Sequence, residues 1–181
     1  MTRSLDSARR SVVAVLGSGR DEHVDLAGPV GELLGLLGVH LLTGGGRGVM
    51  QAVARSFVAV EGRPGLSLGV LPADLDEPAR PPEGYPNLHV ELAIRTHLPH
   101  RGSRGSEPLS RNHVVVLTAD FLVFLPGGPG TRSEAELALR YGKQAVALFP
   151  AGRDPSGFPP SIPRVRSVEG LRGALKAAFP S

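Results

Sequence analysis

The chain contains no cysteine and no tryptophan in 181 residues, and aromatic residues make up only 4% of it. Without cysteine there is no disulfide framework and no thiolate to act as nucleophile or metal ligand. No run of eighteen apolar residues occurs, so a membrane-spanning helix is not expected. The stretch from Met1 to Arg10 is charged but leads into no apolar core of the signal-peptide kind. These absences predict a soluble, cytoplasmic protein with no membrane partner. Lysine is scarce too: Lys143 and Lys176 stand against a total of 20 basic residues, the rest being arginine. The net charge is only +3 and the arginines are scattered rather than gathered in a stripe with exposed aromatics, which argues against nucleic acid as a partner.

What is present is 41% hydrophobic content, enough in a chain of this length for one well-buried domain. Apolar runs bounded by glycine or proline recur at Val12–Leu16, Val39–Leu42, Leu66–Leu71, Leu88–Ile94, Phe121–Leu125 and Ala145–Phe149. Most are continuous rather than alternating, as in strands covered on both faces of a parallel sheet. Segments of helical period lie between them at Asp25–Leu37, Val49–Val60 and Ser133–Tyr141, and Val168–Phe179 closes the chain. Residues 112–120 are rich in β-branched residues, yet the next apolar run follows with no turn between. A buried helix ending near Asp120 therefore gives the better topology, although propensity alone favours a strand. The alternation predicts α/β: a single doubly wound, Rossmann-like domain over 1–181, its mainly parallel sheet flanked by helices and its core spanning about 11–150. Pro72–Pro86 and Ala151–Pro163 read as proline-rich connections.

Three glycine-rich stretches each follow a predicted strand and precede a predicted helix. They are Gly17-Ser18-Gly19, Gly44-Gly45-Gly46-Arg47-Gly48 and Gly127-Gly128-Pro129-Gly130-Thr131. In a parallel sheet such loops emerge at the carboxyl ends of the strands, where ligands bind. Glycine lets the backbone approach a ligand, and a helix start offers free N–H groups to an anion. A phosphorylated small molecule is the expected partner. None of the three is a P-loop, because no Gly-Lys-Ser/Thr closes any of them. Thr131-Arg132-Ser133-Glu134 also reads as a capping box, with Thr131 as N-cap and Glu134 reaching back to it; that reading leaves the glycines unexplained.

Pro126-Gly-Gly-Pro-Gly-Thr-Arg-Ser-Glu134 resembles the PGGxGTxxE motif of the LOG ("Lonely Guy") family, cytokinin-nucleotide phosphoribohydrolases often mislabelled lysine decarboxylases. Thr43-Gly-Gly-Gly-Arg-Gly-Val-Met50 resembles the family's second signature, one residue short before its last glycine, and Arg111 stands fifteen residues before Pro126 as the family arginine does. The resemblance runs from about Val12 to Phe149. It implies hydrolysis of a nucleoside 5′-monophosphate such as AMP to free base and ribose 5-phosphate, with no cofactor and no metal. Glu134 would stabilise an oxocarbenium-like ribose and Arg111 would hold the substrate or assist the leaving base. Gly17, Ser18, Gly44, Gly45, Gly46, Gly48, Gly127, Gly128, Gly130 and Thr131 would bind phosphate and ribose. The chain departs from that family at Arg111-Asn112, where a lysine usually follows the arginine; Arg-Asn resembles instead the molybdenum-cofactor carrier branch of the same superfamily. The alternative is thus a carrier without turnover, holding molybdenum cofactor or another phosphorylated pterin or nucleotide. Decarboxylation needs a Schiff-base lysine, and neither Lys143 nor Lys176 is near a glycine loop.

Three further groups are read blandly. His97 and His100 flank Pro99 and form no metal pair. Asp74, Asp76 and Glu77 form a polar surface loop. Arg95, Arg101, Arg104 and Arg111 lie on a Gly/Ser-rich stretch that is either a solvated loop or a lid over an anion. The family resemblance and the apolar helix from Val49 suggest a homodimer, although a covered sheet face would demand the same residues.

Overall fold

Seven strands form one open sheet in which every pairing is parallel. The computed structural model describes residues 9–179. The elements run β1 (Val12–Leu16), α1 (Val24–Leu37), β2 (His40–Thr43), α2 (Val49–Val58), β3 (Ser67–Leu71), β4 (Leu92–Arg95), α3 (Asn112–Thr118), β5 (Phe121–Phe124), α4 (Pro129–Arg140), β6 (Ala145–Leu148), β7 (Arg164–Val165) and α5 (Val168–Ala178). The sheet order is β4-β3-β2-β1-β5-β6-β7. The chain therefore winds outward from β1 in one direction, returns, and winds outward from β5 in the other. No helix among the described residues is long and apolar enough to cross a membrane.

The continuous apolar runs behave as two-sided strands should. Alternate residues of β1 point to opposite faces: Val13 and Val15 join α1, α2 and α5, while Val12, Ala14 and Leu16 join α3 and α4. Strand β5 divides in the same way, with Phe121 and Val123 on one side and Leu122 and Phe124 on the other. Helices α1 and α2 meet closely through small residues. A methyl group on Gly31 would run into the Val53 carbonyl and lie 2.9 Å from the Phe57 nitrogen.

Residues 112–118 are helical, as topology rather than propensity predicts. Val115 and Val116 bury against β1 and β5, so tertiary packing overrides the β preference. Elsewhere the structure corrects the sequence. Leu88 is not in a strand: Asn87 holds a turn by accepting the His89 N–H on its side chain (3.0 Å), which leaves Leu88 exposed and starts β4 at Leu92. Strand β7 is only two residues long and directly follows the proline-rich connection that ends at Pro163, so it carries no sequence signal of its own. Helix α4 begins at Pro129, not Ser133, with Gly128 as N-cap. Thr131 and Glu134 are therefore inside the helix, and the capping box does not exist.

The apolar residues of α2 invoked for a homodimer (Val49, Ala52, Val53, Phe57) are buried within the chain itself. A dimer would have to bury other residues. Lys143 donates to the Leu117 and Ala119 carbonyls at 2.7 and 2.9 Å, closing the end of α3 as a structural cation.

Gly31→Ala is expected to destabilise the fold by about 1–3 kcal/mol, because the extra methyl forces α1 from α2. Gly173→Ala, on the exposed face of α5 with open space around it, is expected to stabilise by roughly 0.5–1 kcal/mol. Urea unfolding of both variants checks the contrast.

Candidate functional site

The strand order reverses between β1 and β5, so the loops leaving these neighbours diverge and open a crevice at the carboxyl end of the sheet. A cleft of about 1130 Å³ lies there. Gly17, Ser18 and Gly19 line it from β1, and Pro126 to Thr131 line it from β5. The two loops are tied together, the Ser18 N–H donating to the Pro126 carbonyl at 3.1 Å. Gly127 permits this approach, since a methyl there would sit 2.8 Å from the Ser18 nitrogen. Ser18 itself serves its own loop: its hydroxyl accepts from the Arg20 and Asp21 N–H groups at 3.1 and 2.9 Å.

At the start of α4 the N–H groups of Gly127, Gly128, Gly130 and Thr131 reach no acceptor among the described residues. The first helical bond at this end is Arg132 to the Gly128 carbonyl, 3.1 Å. Four free donors at the positive end of a twelve-residue helix, facing a cleft, are the chemistry an anion needs. Arg20, Arg101, Arg111 and Arg153 also line the cleft, against Asp21 and Glu134. Arg153 is paired with Asp25 at 2.5 Å, while Arg20 and Arg101 have no carboxylate partner among the described residues.

Arg111 immediately precedes α3 and is only 4% exposed. Its Nη1 donates to Asn112 Oδ1 at 2.8 Å and lies 3.7 Å from Glu134 Oε1, beyond a good hydrogen bond. Its Nε is buried without a partner among the described residues. Thus the two residues assigned to catalysis do meet on the cleft wall, with Asn112 as the third member.

The Gly44–Gly48 loop is elsewhere. It follows β2, to one side of the switch point, and none of Gly44, Gly45, Gly46 or Gly48 lines the cleft. Gly44, Gly46 and Gly48 each support something that does. A methyl on Gly44 would sit 2.5 Å from Arg111 Cζ, and one on Gly46 would sit 2.9 Å from the Tyr85 ring and from Met50 Cε. Gly48, at φ 64°, lies beneath the Ser18–Arg20 turn, and Val49 N–H donates to the Ser18 carbonyl at 2.9 Å. Through these contacts the loop supports the cleft wall from behind. The cleft residues that sequence reasoning passed over include Arg20, Asp21, His23, Tyr85 and Arg153, and nothing local marked Tyr85.

His100 pairs with Glu107 at 3.0 Å, and no group of three or more potential ligands that could hold a metal is found among the described residues. Asp74 folds its own turn by accepting from Asp76 and Glu77 N–H groups at 2.9 and 3.2 Å. In the arginine-rich stretch, Arg104 pairs with Glu107 at 2.8 Å and only Arg101 and Arg111 face the cleft.

A family model described as the SLOG cluster4 family matches residues 10–158. The chain belongs to the SLOG cluster4 family. It is similar, at 31% identity over 140 residues, to an uncharacterised protein of Archaeoglobus fulgidus, covering 76% of this chain and 80% of that one. It is similar also to the solved molybdenum cofactor binding protein of the phototrophic bacterium Rippkaea orientalis (TM-score 0.71, 26% identity, 94% of this chain and 98% of that chain). The molybdenum cofactor carrier protein of Chlamydomonas reinhardtii matches with TM-score 0.70 and 26% identity over the same shares. The superfamily assignment drawn from the PGGxGTxxE motif is borne out.

In this SLOG cluster4 chain the electrostatics centre on Glu134, which is 8% exposed. Burial pushes its carboxyl up to about 7, and the Arg111 guanidinium only partly offsets that. Below about pH 4.5 folded and unfolded chains both hold this proton. As pH rises toward 7 the unfolded carboxyl ionises freely and the buried one does not, so stability is lost over that window, on the order of 3 kcal/mol in total. Glu134→Gln removes the ionisation. The variant is expected to gain stability over the wild type between pH 5 and pH 8, measured by urea unfolding at each; a constant offset would contradict the buried-carboxyl account.

Proposed function

We propose that this protein binds a phosphorylated small molecule built on a planar heterocycle, a phosphorylated pterin of the molybdenum-cofactor type or a nucleotide, and holds it as a carrier. The observation that carries the reading is the set of four unsatisfied N–H groups opening α4 into an arginine-lined cleft. These donors would take the phosphate, and an open cleft of about 1130 Å³ has room for a pterin ring system beyond it. The Arg111-Asn112 pair and the likeness to molybdenum-cofactor proteins support the carrier over an enzyme. A carboxyl lifted to about 7 by burial is also half neutral at neutral pH, which weakens it as a permanent charge stabiliser.

Glu134 and Arg111, both facing the cleft 3.7 Å apart, favour a second reading, LOG-like hydrolysis of a nucleoside monophosphate. There the bond between ribose C1′ and the base nitrogen breaks, water oxygen bonds to C1′, and one proton of that water ends on the departing base. The ionised Glu134 would stabilise the cationic ribose and orient the water, so the rate would rise with pH through about 7.

Mass spectrometry of ligands released from natively purified protein is expected to show a phosphorylated pterin or nucleotide. Arg111→Ala and Gly128→Pro, which remove a cation and a donor N–H, should each empty the cleft at least tenfold relative to wild type. Incubation with AMP should release no adenine above Glu134→Gln under the carrier reading. Release that falls a hundredfold or more in that variant would establish the hydrolase instead.

A further inference from the structure

The residue least accounted for in the cleft is Tyr85. It hangs from the connection between β3 and β4, half-buried, on the rim opposite α4. The protein builds it a seat. Asn87 fastens the segment to the glycine loop, donating from its backbone to the Gly45 carbonyl and from Nδ2 to the Gly46 carbonyl, both at 2.8 Å. Gly46 then leaves room for the ring, since any side chain there would collide with Cε1 and Cζ at 2.9 Å. The hydrogen bonds that fix this segment run through Asn87 and not through the Tyr85 hydroxyl, so they do not explain why an aromatic ring stands here.

Arg101 covers this ring, its guanidinium carbon 5.4 Å from the centroid. It comes from the other rim. The 3-10 turn that follows it, Gly102–Arg104, packs on α4, where Gly102 lies beside Gly130 and the Ser133 hydroxyl approaches the Gly102 carbonyl at 3.4 Å. Arg101 therefore reaches from the α4 side of the cleft to rest on Tyr85, with no carboxylate partner among the described residues. A guanidinium on an aromatic face is a planar cation stacked on a π-surface, and a planar heterocycle can replace it there.

Resting on the binding reading above, we infer that Tyr85 is the stacking platform for the ligand's ring, and that Arg101 occupies this platform until the ring arrives. The phosphate is bound at α4 on one rim and the ring on Tyr85 at the other, so the site selects phosphorylated compounds that carry a flat heterocycle. Displaced from Tyr85, Arg101 remains one residue from Gly102, beside the anion at the start of α4. Its charge moves from the ring to the phosphate, so closing over the ligand requires no backbone rearrangement.

The test compares AMP with ribose 5-phosphate, which keeps the phosphate and sugar and lacks the ring, by calorimetric titration of wild type, Tyr85→Phe and Tyr85→Leu. Tyr85→Leu is expected to weaken AMP about tenfold and ribose 5-phosphate less than twofold, with Tyr85→Phe restoring AMP binding. An equal loss for both compounds, or no loss for either, overturns the platform while leaving the phosphate site in place. If wild type binds neither compound nor 6-hydroxymethylpterin phosphate, the binding reading itself falls and this inference with it. A second readout needs no loss of affinity. The chain has two tyrosines and no tryptophan, so Tyr141→Phe, which alters a residue outside the cleft, leaves Tyr85 as the single emitter. Its fluorescence is expected to be quenched by AMP and unchanged by ribose 5-phosphate, and quenching by both or by neither would contradict ring stacking.

Discussion

The guanidinium of Arg111 lies against a backbone that has no side chain to exclude it. Gly44 leaves the space, Asn112 accepts one of its N–H groups, and Glu134 stands 3.7 Å away without a full hydrogen bond. A cation 4% exposed would be costly with nothing beside it, and a carboxyl 8% exposed would be costly in the same way. Each is tolerable because the other is near. Yet the pair is incomplete, with a long contact and an orphaned Nε among the described residues, and that incompleteness leaves both groups available to a ligand.

The fold explains why this pair faces a cleft at all. Winding outward from β1 and then from β5 separates two loops that would otherwise run side by side, and the gap between them is the cleft. The loop after β1 is a self-contained turn held by Ser18, and the loop after β5 is a helix start with its donors exposed. The loop after β2 lies one strand away, and none of Gly44, Gly45, Gly46 or Gly48 lines the cleft. Its glycines act indirectly, Gly44 under Arg111, Gly46 under Tyr85 and Gly48 under the Ser18 turn. The glycines of one motif thus support three walls of the cleft, while its Met50 lines the cleft directly.

Much of this was legible in the sequence. Continuous apolar runs separated by helical periods specify a parallel sheet, and the glycine-rich run after β5 specifies a helix start with free N–H groups, because both follow from local backbone chemistry. Arg111 and Glu134 were legible through motif spacing. What was hidden depends on long-range placement. The Gly44–Gly48 loop has the same composition as a phosphate loop, and only strand order distinguishes a loop at the switch point from its neighbour. The capping box at Thr131–Glu134 fits the local pattern, but proline at Pro129 starts the helix earlier, which puts Glu134 one and a half turns inside. Tyr85 sits in a proline-rich connection, and its position is set by Asn87 and Gly46, 41 residues apart in sequence, so no window on the chain contains the reason.

The dependence of the Arg111–Glu134 pair on Gly44 is open to direct measurement. Carbon-13 NMR titration of the Glu134 side-chain carboxyl, in wild type and in Gly44→Ala, reads it without a ligand. A methyl at residue 44 must push aside the flexible end of Arg111 rather than backbone, so the fold should survive. The carboxyl is expected to titrate near 7 in the wild type and higher in Gly44→Ala, because the one nearby cation that lowers it has been displaced. A carboxyl that titrates in the ordinary range near 4.5, or one that does not move when the methyl is added, would contradict the account.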